Sequence, residues 1–517
     1  MSTFVIVVFL SVLTRFPIIK RDALHYDAFG HLYFSKELRR QKSGPFGSIK
    51  RKFVGSGQWS SPFLWHWLVG FFPLGKVVHY QNFINTFIDS VFAVIIYGVS
   101  LAYFGDQLIA FYIVAMYLFT PMWFSSISMG PRLEGFTPRL SSEIVTNLFF
   151  IVTLLPLGLP AWAVVFLGAF LAAFVVFSSR FGLQAVLFIT PITSLLAWNA
   201  MPLIALIFGM IFSTLLSRGR CCRAVKEQLN HLTWYFRKNL QGGTLVSNRN
   251  SFKAIIEPLK ENISWKTSLP KSVVLALARN SFTGVIIKMP ILLLFPFVFY
   301  FNNSFEVNMN IVAPILSSII VFFVVNTKKF LFLGEAERYL NHVAFFISAA
   351  VVHSFLMNDF DTPIIIVLIY GCFYWLVEVF FYRRYYTEKK QLIFKEQTEI
   401  IKLLQQYEDK IILCYPYHAV GVWRILLETS NYVLRAMTGN KSFDKVFEDK
   451  YEADYPYVNI DRLDEMAKEY NLDFLIASKE ELSLRGYDGW TPSSSWEKIN
   501  QGFHLYYVYK RKPLVTA

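Results

Sequence analysis

Apolar runs of near-spanning length recur along most of this chain, and that repetition constrains the fold more than any motif. A helix needs about 17–25 mostly apolar residues to cross the hydrocarbon core of a bilayer. Runs of this kind lie at residues 4–19, 82–104, 107–125, 143–158, 161–179, 182–199, 201–217, 284–301, 309–326, 340–357 and 362–382. Of 517 residues, 54% are hydrophobic and 52 are phenylalanine, so the apolar surface is bulky and aromatic. The sequence therefore predicts an α-helical polytopic membrane protein of roughly eleven spans. The run Phe4 to Leu13 has no basic residues before it and no small-residue cleavage site after it, so it is expected to stay as the first span rather than leave as a signal peptide.

Loop lengths predict the topology. With the N-terminus in the cytoplasm, the long segments 20–81, 126–142, 218–283 and 327–339, and everything after residue 383, fall on one face. The other face receives tight turns such as Gly105-Asp106. The first part of loop 20–81 carries nine Lys and Arg against three acids up to residue 61, against the usual cytoplasmic preference of basic loops. Phosphate binding accounts for such an excess, and long loops translocate largely regardless of charge. Beyond Arg383 hydrophobicity falls and charge rises. Strands are expected at 411–415, 474–477 and 505–509, with helices at 390–406, 419–436 and 461–470, which together read as a small α/β domain. The expected division is 1–383 for the membrane domain, with external loops 20–81 and 126–142, and 384–517 for the soluble α/β domain. The four cysteines, Cys221, Cys222, Cys372 and Cys414, form no CxxC pair and give no metal or redox signal.

The stretch His25-Tyr26-Asp27-Ala28-Phe29-Gly30-His31-Leu32-Tyr33 opens the first loop. The loop closes on Trp59-Ser-Ser-Pro-Phe-Leu-Trp65-His-Trp67. A carboxylate among histidines and aromatics where the chain leaves the bilayer suits a site that holds a charged lipid head group. A second loop, Gly130-Pro-Arg132-Leu-Glu134-Gly-Phe-Thr-Pro-Arg139, offers another carboxylate between two arginines. Glu335 and Arg338 introduce charge at the entry to a late apolar run, where charge is costly unless paired or used.

This layout resembles the GT-C superfamily of polytopic glycosyltransferases, including oligosaccharyltransferase catalytic subunits. The likeness is carried by Tyr26-Asp27-Ala28-Phe29-Gly30-His31-Leu32 through Glu37-Leu38-Arg39, by Glu134 in the second loop, and by a terminal soluble unit on the same side. It implies a GT-C-like bundle and a sugar donor linked to a polyprenyl phosphate. A WWD-like sequon-reading motif is absent from the tail, which points away from protein N-glycosylation and towards a simpler monosaccharide transferase.

The chemistry assigns roles to residues. An acceptor hydroxyl is a weak nucleophile, so a carboxylate that takes its proton helps. Asp27 is the candidate base or a ligand of a divalent ion, Mg or Mn, and Glu134 is the second carboxylate and second metal ligand. Negative charge grows on the departing phosphate, which calls for cations. Arg338 is the first candidate for the lipid phosphate, with Arg132, Arg139 and Glu335 around it. His25 and His31 are placed to bind sugar or metal, and Trp59 to stack on sugar or isoprene. Each has a plainer alternative: ion pairs for Asp27, Glu134 and Arg338, solvated imidazoles, and an interfacial aromatic belt. The expected function is glycosyl transfer from a polyprenyl-phosphate-linked sugar to a glycan or protein acceptor on the extracytoplasmic or lumenal face. The bilayer is the remaining partner and no nucleic acid is expected. Alternatives are a transporter or flippase of a lipid-linked glycan, and a glycan polymerase or ligase.

Overall fold

The structure, a computed structural model, describes residues 3–19, 26–55, 57–125, 132–240, 280–301, 308–381, 387–417, 421–435, 441–454, 456–499 and 502–513. Helices follow the apolar runs closely: Thr3–Ile19, Leu74–Phe104, Gln107–Phe119, Pro138–Leu154, Ala161–Ser178, Arg180–Leu196, Met201–Leu216, Met309–Val325, Ala344–Leu356 and Thr362–Phe381. Among the described residues three helices, Leu74–Phe104, Ala161–Ser178 and Thr362–Phe380, are long and apolar enough to cross a membrane alone. Two bent pairs raise that number to five. Gln107–Phe119 and Ala344–Leu356 have 13 residues each, about 20 Å at 1.5 Å per residue.

Local chemistry explains why continuous apolar runs became broken helices. Thr120 precedes Pro121 and is extended, so the run 107–125 stops there. Pro290 separates Ser281–Lys288 from Ile291–Phe301, and the two meet at 74°. After Met201–Leu216 the chain turns through Arg218 and Gly219, both left-handed, and the next helix, Arg220–Leu240, leaves at 111°. Two helices of the bundle approach through small residues. A Cβ at Gly209 would fall 2.7 Å from the Ala172 Cβ, and one at Gly168 would fall 2.8 Å from the Ala205 Cβ. Close backbone contact of this kind replaces the hydrophobic drive that lipid removes.

The C-terminal segment forms a five-stranded sheet in the order Tyr432–Val433, Ile411–Tyr415, Phe474–Ser478, Tyr506–Arg511, Trp496–Lys498. The first three strands are parallel and the last two pair antiparallel. The three expected strands are present, and two short edge strands join them. The expected helix 419–436 ends at Glu428, because Thr429–Asn431 turn the chain into the edge strand.

The first loop is a folded unit rather than a connection. It contains helix Tyr26–Arg40, the hairpin Ser48–Lys50 with Gln58–Ser60, and helix Leu64–Val69. Its apolar residues share one hydrophobic core with the C-terminal segment. Phe29, Leu32, Phe34, Trp59 and Phe63 pack in it with Ile400, Val422, Trp423, Ile425 and Phe474. Phe136 of the second loop belongs to the same core and stacks on Trp65 at 5.1 Å. Both loops and the tail therefore lie together.

Candidate active site

The second loop is held from below by the polar face of helix Leu74–Phe104. Gln81, Asn82, Asn85 and Asp89 recur at near-helical spacing and are all buried. The Asn85 amide donates to the carbonyls of Leu133 and Gly135 at 3.0 and 2.7 Å. The Asn82 and Gln81 side-chain oxygens accept from the backbone N–H of Gly135 and Phe136. Glu134 lies inside this clamp and is 2% exposed.

Behind the clamp runs a chain of buried ions. Arg15 of the first helix bonds Asp89 at 2.8 Å. Arg132 reaches Asp89 at 3.2 Å and Glu143 at 2.6 Å, and the Tyr117 hydroxyl donates to Asp89 at 2.6 Å. Asn341 donates to Glu143 at 3.2 Å. Two arginines face two acids, so the charges balance. The Arg132 guanidinium, expected at the substrate, is buried and paired with Asp89 and Glu143. Arg15, Asp89 and Glu143 carry a signal readable in the sequence: charges inside apolar helices need partners.

Above the clamp a second set of charges faces the first loop. Arg139, in the first turn of helix Pro138–Leu154, feels the fields of Arg338, Glu335, Asp27 and Glu143. Arg338 pairs with Glu335 at 2.5 Å, and its guanidinium lies 5.7 Å from the Phe181 ring centre. Asp27 is exposed on the first turn of helix Tyr26–Arg40. Arg139 thus lies within electrostatic reach of charges from two distant parts of the chain, Asp27 of the first loop and the pair Glu335 and Arg338. Arg338 does form the plain ion pair with Glu335, and it does so beside a second guanidinium.

Other candidates stand elsewhere. His25 lies outside the described residues. His31 is half-buried and its Nδ1 shares a 2.8 Å hydrogen bond with Nε2 of His66, a residue the sequence argument did not single out. Burial, and secondly His31, hold the His66 imidazole well below its usual range. Trp59 packs in the core that the first loop shares with the tail. It is 6% exposed, 4.9 Å from Phe34, with the guanidiniums of Arg51 and Arg180 each 4.7 Å from its ring. Its large apolar area makes it a core residue of the loop.

The carboxylates expected to hold a divalent ion are Asp27 and Glu134. Among the described residues no three His, Cys, Asp or Glu side chains gather closely enough to share an ion. Asp27 and Glu134 are hard oxygen donors of the kind Mg or Mn prefers, but two of them do not complete a site.

No protein-family model matches the sequence, and no curated protein matches it. The fold does have solved counterparts. The Archaeoglobus fulgidus oligosaccharyltransferase in complex with Zn and sulfate superposes with a TM-score of 0.52 at 12% identity, over 93% of this chain and 68% of its own. The same enzyme tethered to an acceptor peptide containing the NVT sequon gives 0.52 at 11% identity, over 92% and 69%. ArnT from Cupriavidus metallidurans, solved bound to undecaprenyl phosphate, covers 98% of this chain and 97% of its own at 11% identity, with a TM-score of 0.43 that is too low to argue from. The chain has the fold of the archaeal oligosaccharyltransferase.

Proposed function

We propose that this chain is a membrane glycosyltransferase that moves a sugar from a polyprenyl-phosphate donor to an acceptor on the extracytoplasmic or lumenal face. The observation that supports the reading is the position of Arg139, within electrostatic reach of Asp27 on the first loop and of the Arg338–Glu335 pair. Asp27 takes the proton of the acceptor hydroxyl as its oxygen bonds the anomeric carbon. The bond from that carbon to the phosphate oxygen breaks on the opposite face, and its electron pair leaves with the lipid phosphate. Arg139 and Arg338 stabilise the charge that collects there, the fork geometry of a guanidinium matching phosphate oxygens. Displacement in one step inverts the sugar. Glu134 is the second carboxylate of the site. In this reading residues 1–383 form the catalytic membrane domain and 384–517 the soluble domain seated on its first loop.

The test is transfer in detergent or nanodiscs from a panel of polyprenyl-phosphate sugars. Asp27→Asn keeps shape and removes charge, and is expected to bind donor while losing on the order of 10²–10⁴ in turnover. Arg338→Ala is expected to weaken donor binding by about 1.5–3 kcal/mol, with only partial recovery in Arg338→Lys. Wild-type turnover in Asp27→Asn defeats the assignment of the base. A flippase predicts lipid movement with no transfer by either form.

A further inference from the structure

Gly30 lies three residues beyond Asp27 on helix Tyr26–Arg40, less than one turn away. A Cβ there would stand 3.1–3.3 Å from Cδ2, Cε2 and Cγ of Trp423, so the helix backbone rests directly on the indole of the C-terminal segment. Trp423 has little room to yield. It is 8% exposed, with Phe34 at 5.5 Å and Tyr33 at 6.1 Å between ring centres.

The surrounding contacts fix the same interface at independent points. The Arg424 guanidinium lies 5.8 Å from the Phe29 ring centre. Lys36 Nζ donates to the Leu427 carbonyl, and Lys52 Nζ to the Ser430 carbonyl at 2.8 Å. Phe53 bridges Val433 in parallel: the Val54 N–H donates to the Val433 carbonyl and the Val433 N–H to the Lys52 carbonyl, each at 3.1 Å. The first loop thus continues the edge of the tail's sheet by main-chain bonds. Helix Tyr26–Arg40 is seated on the tail by apolar, cation–ring and backbone contacts at once.

We infer that the C-terminal segment fixes where Asp27 stands, through Trp423 seated on Gly30, so that Trp423 is a positioning residue for the transfer reaction. The tail then takes part in catalysis without touching substrate. A rigid helix carries any displacement at residue 30 to residue 27, and a shift of about 1 Å at a reacting group can cost up to a hundredfold in rate. The inference rests on the reading of Asp27 as the base.

The experiment uses the full chain with Gly30→Ala, Trp423→Phe and the two combined. One readout is kcat and KM for a polyprenyl-phosphate sugar. The other is the rate of thiol labelling at position 27 in an Asp27→Cys variant that also carries Cys221→Ser and Cys222→Ser. Gly30→Ala is expected to lower kcat roughly tenfold at unchanged donor KM. Trp423→Phe, which makes room for the added methyl, is expected to restore most of that loss in the combination. Labelling at position 27 should change in Gly30→Ala and return in the combination.

A combination no better than Gly30→Ala in both readouts overturns the inference. So does a labelling rate that stays at the parent value while kcat falls, an outcome that leaves the proposed transfer standing. The expected labelling pattern in a chain that transfers no sugar defeats the proposed function and upholds the placement of residue 27 by the tail. Should Gly30→Ala not be recovered folded, Trp423→Phe alone decides: parent-like labelling at position 27 overturns the inference.

Discussion

The two candidate carboxylates are carried by two kinds of structure. Glu134 sits in a loop clamped by amides and backed by the ion chain Arg15–Asp89–Arg132–Glu143. Asp27 sits on a helix that rests on an aromatic core shared with the tail. The first arrangement is directional: every member faces a named partner, and losing one strands another in a medium that cannot solvate it. The second is a wide apolar contact, where losses are graded by the area and volume removed. A site assembled from both has one wall that fails abruptly and one that yields by degrees.

The largest effect that separates them is expected at Arg132. Arg132→Ala takes from Glu143 its ion pair and leaves Asp89 with Arg15 alone, and should destabilise the folded chain by about 3–5 kcal/mol, read as a fall in the thermal midpoint and in the monodisperse fraction after extraction. A loss below about 1 kcal/mol would mean that the ion chain is solvated, and the contrast would disappear.

Acid should act on the other wall. His66 is 4% exposed and its imidazole is held well below the usual range. The unfolded chain therefore binds a proton near pH 6.5 that the folded chain refuses, so stability is full above about pH 6.5 and falls as pH drops towards the folded value. The slope reaches about 1.4 kcal/mol for each pH unit per proton. His66→Gln should flatten the dependence of the unfolding midpoint between pH 6.5 and 4.5. An unchanged slope would remove the His31–His66 pair from the hold on the first loop.

The smallest effect expected is in the shared core. Ile425 is fully buried beside the first loop, and Ile425→Val should cost about 0.5–1.5 kcal/mol in a chemical-denaturation midpoint, with transfer retained. A collapse of folding from this one methylene would show that the aromatic wall is as unforgiving as the ionic one.

Much of this architecture was legible without coordinates. Hydropathy placed the helices, because apolar runs are local and lipid demands them. Short continuous apolar runs placed the strands 411–415 and 474–477. Helix length was less legible: Thr120-Pro121 and Met289-Pro290 broke apolar runs that hydropathy alone joined.

The sequence by itself determined the helical membrane class, the loops that carry Asp27 and Glu134, and the presence of a mixed tail, since each follows from residues close together in the chain. Only the tertiary structure decided what those residues meet. Arg15 and Asp89 are 74 positions apart, and Gly30 and Trp423 lie at opposite ends of the chain. Hydrophobic periodicity says that a charge inside a span must find a partner, but not which one. That choice set Arg132 against Asp89 and Glu143 and packed Trp59 into the aromatic core, while Arg139 came within electrostatic reach of Asp27 and Arg338. The reason is that desolvated charges and buried rings are satisfied by whatever the packed bundle brings within a few ångströms, and packing is a property of the whole chain.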